Sequence, residues 1–99
     1  MRVLIIEDET PAVRNLRSLL RSVEPLAEIA GITDSVSSSI SWLKENNTPD
    51  VIFMDIHLAD GDAFLIFEQA TVSSPVIFTT AYDRYALDAF VGEGWDVVG

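Results

Sequence analysis

The residues of this chain best suited to chemistry are acids that follow apolar runs. Glu7, Asp8 and Glu9 come directly after Val3-Leu4-Ile5-Ile6, and Asp55 ends Val51-Ile52-Phe53-Met54. Carboxylates brought within several ångströms of one another raise each other's proton affinity and cost stability unless a cation sits among them. A hard divalent ion is the natural remedy, and Mg2+ is commonly held by one or two carboxylates together with waters and phosphate oxygens. That last ligand type points toward phosphoryl chemistry, in which an aspartate carboxylate can itself be the nucleophile. Asp55 is the residue placed for that task. Thr79 and Thr80 follow Val76-Ile77-Phe78, and because side chains alternate along a strand only one of them faces the site. Thr80 is the expected hydroxyl donor to a new phosphate.

Such a site requires the acids to meet, and the order of elements shows how they would. Residues 3–6 read as a strand. Thr10 as N-cap with Pro11 at the first helical position predicts a helix, whose apolar positions Val13, Leu16, Leu19, Leu20 and Val23 recur at three- and four-residue steps. Arg14, Arg17 and Arg21 fall on a separate, solvated stripe, and Glu24-Pro25 ends the helix. A second strand is expected over 27–32, then a helix capped by Asp34 or Ser35 with Val36, Ile40 and Leu43 on its apolar face. The third strand covers 51–55 and is hydrophobic on both faces, which suits the middle of a parallel sheet. An irregular loop, a short helix over 63–69, a fourth strand over 76–80, a fourth helix over 82–90 and the start of a fifth strand over 95–98 complete the reading. Alternating strands and helices of this kind predict one α/β domain, a doubly wound parallel sheet with strand order 2-1-3-4-5. The acids of strands one and three then share the carboxyl edge at the point where the winding reverses.

The residues quoted so far carry a family resemblance. Ile5-Ile6-Glu7-Asp8-Glu9, Asp55-Ile56-His57-Leu58 and Thr79-Thr80-Ala81-Tyr82-Asp83 resemble the signature blocks of response-regulator receiver domains, in the same order and at similar separations. Leu58-Ala59-Asp60-Gly61-Asp62-Ala63-Phe64 and the stretch from Phe78 to Phe90 look like receivers attached to LytTR-type DNA-binding domains. The resemblance implies a flavodoxin-like fold in which Asp55 accepts a phosphoryl group from a histidine kinase. It implies Mg2+ held by Glu7, Asp8, Asp55 and the backbone carbonyl of His57. Thr80 matches the switch hydroxyl that shifts a dimerisation and output surface, and the small Ala81 leaves the phosphate an approach. A receiver is not an enzyme in its own right; it only assists its own phosphorylation and dephosphorylation.

Blander readings stand beside several of these assignments. Glu7, Asp8 and Glu9 also suit a helix N-terminus, where the macrodipole favours acids. The His57 side chain is expected to face solvent. Asp60-Gly61-Asp62 has the form of a paired-acid metal motif but reads better as a turn with a cap behind it. Trp42 is expected only to pack.

Composition narrows the function. A chain of 99 residues with 48% hydrophobic residues makes one small domain with a real core. The net charge of −10 disfavours direct contact with nucleic acid or anionic membranes. Absence of cysteine excludes disulfides and thiolate chemistry, and a cytoplasmic location fits the lack of a leader-like or long apolar segment. Receivers also carry a lysine before a proline at the end of strand five. Within 1–99 there is none at that place, and both the lysine and the fifth helix would follow Gly99. The expectation is a receiver over 1–99 that stops at or just before the end of strand five, with its LytTR-type output domain elsewhere. A shortened chain and a natural variant completed by a partner both account for this, and the uncovered apolar strip makes a homodimer the expected assembly. Two alternatives remain open: a degenerate receiver acting as an interaction module, and a metal-dependent phosphatase or nuclease. His57 stands where such a phosphatase would carry a second aspartate.

Overall fold

Alternation along the first strand decides the architecture. Val3 and Ile5 point to one side of β1 (Arg2–Ile6), Leu4 and Ile6 to the other, and all four are wholly buried. A strand covered on both faces belongs inside a parallel sheet with helices on either side. The computed structural model describes residues 1–79 together with the paired backbone of Asp96 and Val97. Its main sheet contains β1, β2 (Glu28–Thr33), β3 (Val51–Met54), β6 (Val76–Phe78) and β7 (Asp96–Val97). The order is β2-β1-β3-β6-β7 and every pairing is parallel, so the expected doubly wound order is the observed one. The expected fourth helix over 82–90, Thr80 and Ala81 lie outside the described residues.

Each face of the sheet has its own core. Leu4, Ile6, Ile52, Met54, Val76 and Phe78 pack against Val36, Ile40, Trp42 and Leu43 of α2 (Val36–Glu45) and Phe64, Ile66 and Phe67 of α3 (Phe64–Gln69). Phe64 meets Phe78 edge-on, with ring centroids 5.7 Å apart. On the other face Val3, Ile5 and Val51 pack with Val13, Leu16 and Leu20 of α1 (Thr10–Val23) and with Ile29, Phe53 and Ile77. Among the described residues this second core is the thinner one. No residue of α1 is fully buried, and Leu19 and Val23, expected on its apolar face, are exposed. Val13, Leu16 and Leu20 are the α1 side chains that meet this face, and Leu19 and Val23 stay in water. Arg14, Arg17 and Arg21 are exposed, as expected.

Several local details differ from the expectations. Glu9, in extended backbone, is the N-cap of α1; Thr10 is already helical, because the Glu9 carbonyl accepts the first helical bond from Val13 N–H at 3.1 Å. The second strand runs one residue later than expected, with an irregularity that sets Leu4 opposite Gly31 and leaves Ala30 over. Gly31 there lies under Trp42, and a Cβ would overlap the indole. Ser35 caps α2 through a capping box with Ser38. The loop after β3, expected to be irregular, is a small antiparallel hairpin of β4 (His57–Leu58) and β5 (Gly61–Asp62). At the amino edge Arg2 binds the chain before β3: its N–H donates to Asp50 at 2.6 Å and its guanidinium to Asn47 O at 3.0 Å. No helix among the described residues is long and apolar enough to cross a membrane.

Candidate functional site

The carboxyl edge of the sheet carries its acids on backbone bonds that extend the ladders. Glu7 N–H donates to Thr33 O at 2.9 Å, which continues the β1–β2 pairing one residue past the strand. Asp55 N–H donates to Ile6 O at 2.8 Å and does the same for β1 and β3. Both acids are therefore fixed at their backbones before any side-chain contact is made. Glu7 and Asp55 are each 6% exposed, whereas Asp8 faces solvent.

Carboxylate oxygens of Glu7, Asp8 and Asp55 all lie within 4.8 Å of one another. Glu9 N–H donates to Glu7 Oε1 at 3.1 Å, and His57 N–H donates to Asp55 Oδ1 at 3.2 Å. Burial pushes the Glu7 carboxyl up from 4.5 to about 7, and its neighbours Asp55 and Asp8 push in the same direction against the opposing pull of the Glu9 N–H. Burial is the main cause of this rise, and the like charges of Asp55 and Asp8 add to it. The donor set consists of hard oxygens, two of them from buried side chains and one from a side chain open to water. Mg2+ favours such a set, because it binds few protein carboxylates and keeps several waters. Beside the acids a cleft of about 400 Å³ is lined by Glu7, Asp8, Thr10, Thr33, Asp34 and Ser38, among others.

The structure thus brings together Glu7, Asp8 and Asp55, and sets His57 two residues beyond Asp55 at the start of the hairpin with its side chain exposed. Thr79 N–H donates to Met54 O at 3.0 Å, and the Thr79 hydroxyl lies 3.5 Å from the same carbonyl. The Thr79 side chain is thus turned to the strand edge of β3. One contact of the adjoining hairpin was not legible beforehand. Asp60, expected in a simple turn, accepts bonds from the amides of Val36 at 2.6 Å and Ser37 at 3.1 Å, and so caps α2 from across the fold. Nothing in local spacing signals a contact across 24 residues of chain.

Comparisons with known proteins agree with this geometry. The family profile described as the response regulator receiver domain matches residues 3–98. The sensory transduction protein LytT of Enterococcus faecalis is 40% identical over 93 residues, covering 91% of this chain and 38% of that protein. LytT of Bacillus anthracis is 35% identical over 101 residues, covering 99% of this chain and 40% of that protein. The chain therefore spans about 40% of the length of the curated relatives it matches. Among solved structures, the response regulatory domain of mrkE from Klebsiella pneumoniae superposes with a TM-score of 0.81 at 31% identity, covering 99% of this chain and 81% of that one.

Proposed function

Because this chain belongs to the response regulator receiver domain family, we propose that it accepts a phosphoryl group on Asp55 in an Mg2+-dependent reaction and thereby switches a surface read by a partner. The observation that carries this reading is the convergence of Glu7, Asp8 and Asp55 at one edge of the sheet. In the proposed step an Asp55 carboxylate oxygen forms a bond to phosphorus while the P–N bond of a phosphohistidine on the kinase breaks. Glu7, Asp8, Asp55 and the His57 carbonyl would hold Mg2+, which supplies neutralising charge for the phosphoryl oxygens. Glu7 must give up its proton for this, and because burial and the adjacent Asp55 raise its carboxyl to about 7, metal binding has to displace a proton that is held more tightly than on an ordinary glutamate. Backbone bonds to Ile6 and from His57 orient Asp55 without calling on any mobile side chain. Thr80 is assigned the switch hydroxyl, next to the Thr79 backbone that β3 fixes.

The partners follow from the same reading: a cognate histidine kinase, a second receiver, and, in the whole protein, a LytTR-type output part that binds DNA. That division suits the net charge of −10 here, which repels a phosphate backbone. A cytoplasmic site of action follows from such a pathway. A second reading is a receiver that docks a partner without being efficiently phosphorylated. Incubation with acetyl phosphate and Mg2+, read by intact mass, separates the two. Phosphoryl uptake that Asp55→Asn abolishes is the expected result; an unlabelled wild-type chain leaves the docking module.

A further inference from the structure

Asp60 has no part in the chemistry proposed above, yet its carboxylate ties together two elements far apart in the chain. It stands in the two-residue connection between β4 and β5, where His57 pairs with Asp62 and Leu58 with Gly61. Such a hairpin has little stiffness of its own, since even much longer isolated hairpins are marginal in water. Its turn contains no non-glycine residue at positive φ, and the reversal falls to Gly61 at φ 143°. Two further holds come from behind: Ala63 N–H donates to Ile56 O at 2.8 Å, and Ile56 and Leu58 are buried. The exposed tip is held by Asp60.

The form of that hold matters. Val36 and Ser37 are the first two residues of α2, and their amides have no carbonyl partner inside the helix. Asp60 takes both, one on each carboxylate oxygen, and these bonds hold its carboxyl below the usual aspartate range. A charged acceptor that engages two donors fixes direction as well as distance. The helix does not depend on it for a cap, because Ser35 accepts from Ser38 N–H at 3.0 Å in a complete capping box. An exposed bond pair of this kind contributes modestly to global stability; what it sets is the placement of the hairpin that opens with His57.

We propose that Asp60 is a positioning residue for the metal site: by clasping the tip of the β4–β5 hairpin to the first turn of α2, it sets where the His57 carbonyl stands relative to Glu7, Asp8 and Asp55. This rests on the receiver reading of the site. The test is Mg2+ titration of the whole chain, followed by amide NMR shifts, beside thermal unfolding of the same samples. Asp60→Asn keeps a neutral acceptor and should weaken Mg2+ binding about 3- to 10-fold, less than the roughly 10- to 100-fold seen for groups bonded directly to a metal ligand. Its labelling rate with acetyl phosphate should fall at limiting Mg2+ and return near wild type at saturating Mg2+. Ser35→Ala, which removes the local cap of the same helix, should lower the unfolding temperature yet bind Mg2+ as wild type does. Wild-type Mg2+ affinity in Asp60→Asn, or equal weakening in Ser35→Ala, would overturn the proposal and reduce Asp60 to a helix cap. If Mg2+ binding depends on Asp60 while no phosphoryl is taken up, the proposal stands and the phospho-acceptor reading fails.

Discussion

Replacing Glu7 by glutamine should make the metal-free protein more stable at mildly alkaline pH. Glu7 is 6% exposed, and its carboxyl is raised from 4.5 to about 7, first by burial and then by Asp55 and Asp8. Unfolded, the same group loses its proton near the ordinary value. Between these two pH values the folded chain holds a proton that the unfolded chain has released, so stability falls as pH rises from 4.5 to about 7 and levels off above that. At about 1.4 kcal/mol per pH unit the fully buried limit is about 3 kcal/mol, and water on the Asp8 side screens this to about 1–2 kcal/mol. Glutamine keeps an acceptor for the Glu9 N–H and carries no charge. Glu7→Gln should therefore unfold about 5–10 °C higher than wild type at about pH 8 in chelator, the difference shrinking toward about pH 5. Circular dichroism melts of both proteins across this range make the comparison, and subtracting one from the other cancels the remaining acids. Added Mg2+ should raise the wild-type melting temperature and leave Glu7→Gln nearly unmoved. A variant no more stable than wild type at alkaline pH would refute the reasoning that Glu7 sits among uncompensated carboxylates.

Gly31→Ala should destabilise by about 1–3 kcal/mol in urea unfolding, because the new Cβ meets the Trp42 indole. Trimming the tryptophan in Gly31→Ala/Trp42→Leu should recover part of that loss relative to Trp42→Leu alone. The carboxyl of Asp60 is lowered from 3.8 by the Val36 and Ser37 amides, so its contribution is present above that value and lost as pH falls through the lowered one. Any stability difference between wild type and Asp60→Asn should accordingly close in strongly acidic buffer, and a difference that persists there would exclude the charged clasp. Ile66→Ala, at a wholly buried position between α3 and the sheet, should cost about 2–5 kcal/mol by denaturant titration.

The parts of the fold that could be read beforehand are those whose signal is local. Val3-Leu4-Ile5-Ile6 and Val51-Ile52-Phe53-Met54 announce central strands because burial on both faces leaves no polar position, and their acids mark the edge where the ladders end. Handedness of the crossovers then orders the strands. A cap at Asp34 or Ser35 was legible for the same reason, and the structure takes Ser35, whose partner Ser38 is only three residues away. The hairpin was not: two residues on each strand carry no period, and its register rests on Gly61 and on burial of Leu58. Leu19 and Val23 fit a helical apolar stripe in sequence, but the width of the stripe that becomes buried depends on what packs there. Asp60 was invisible because its partners are brought close only by the fold.

The account turns on Asp55, and tandem mass spectrometry of the chain after acetyl phosphate treatment tests it most directly. With Mg2+ present the phosphoryl group should map to the peptide carrying Asp55, and chelation of the metal should remove the label. Label on another residue, or uptake at Asp55 that chelation leaves unchanged, would contradict the assignment of Glu7, Asp8 and Asp55 to one metal-dependent phospho-acceptor site.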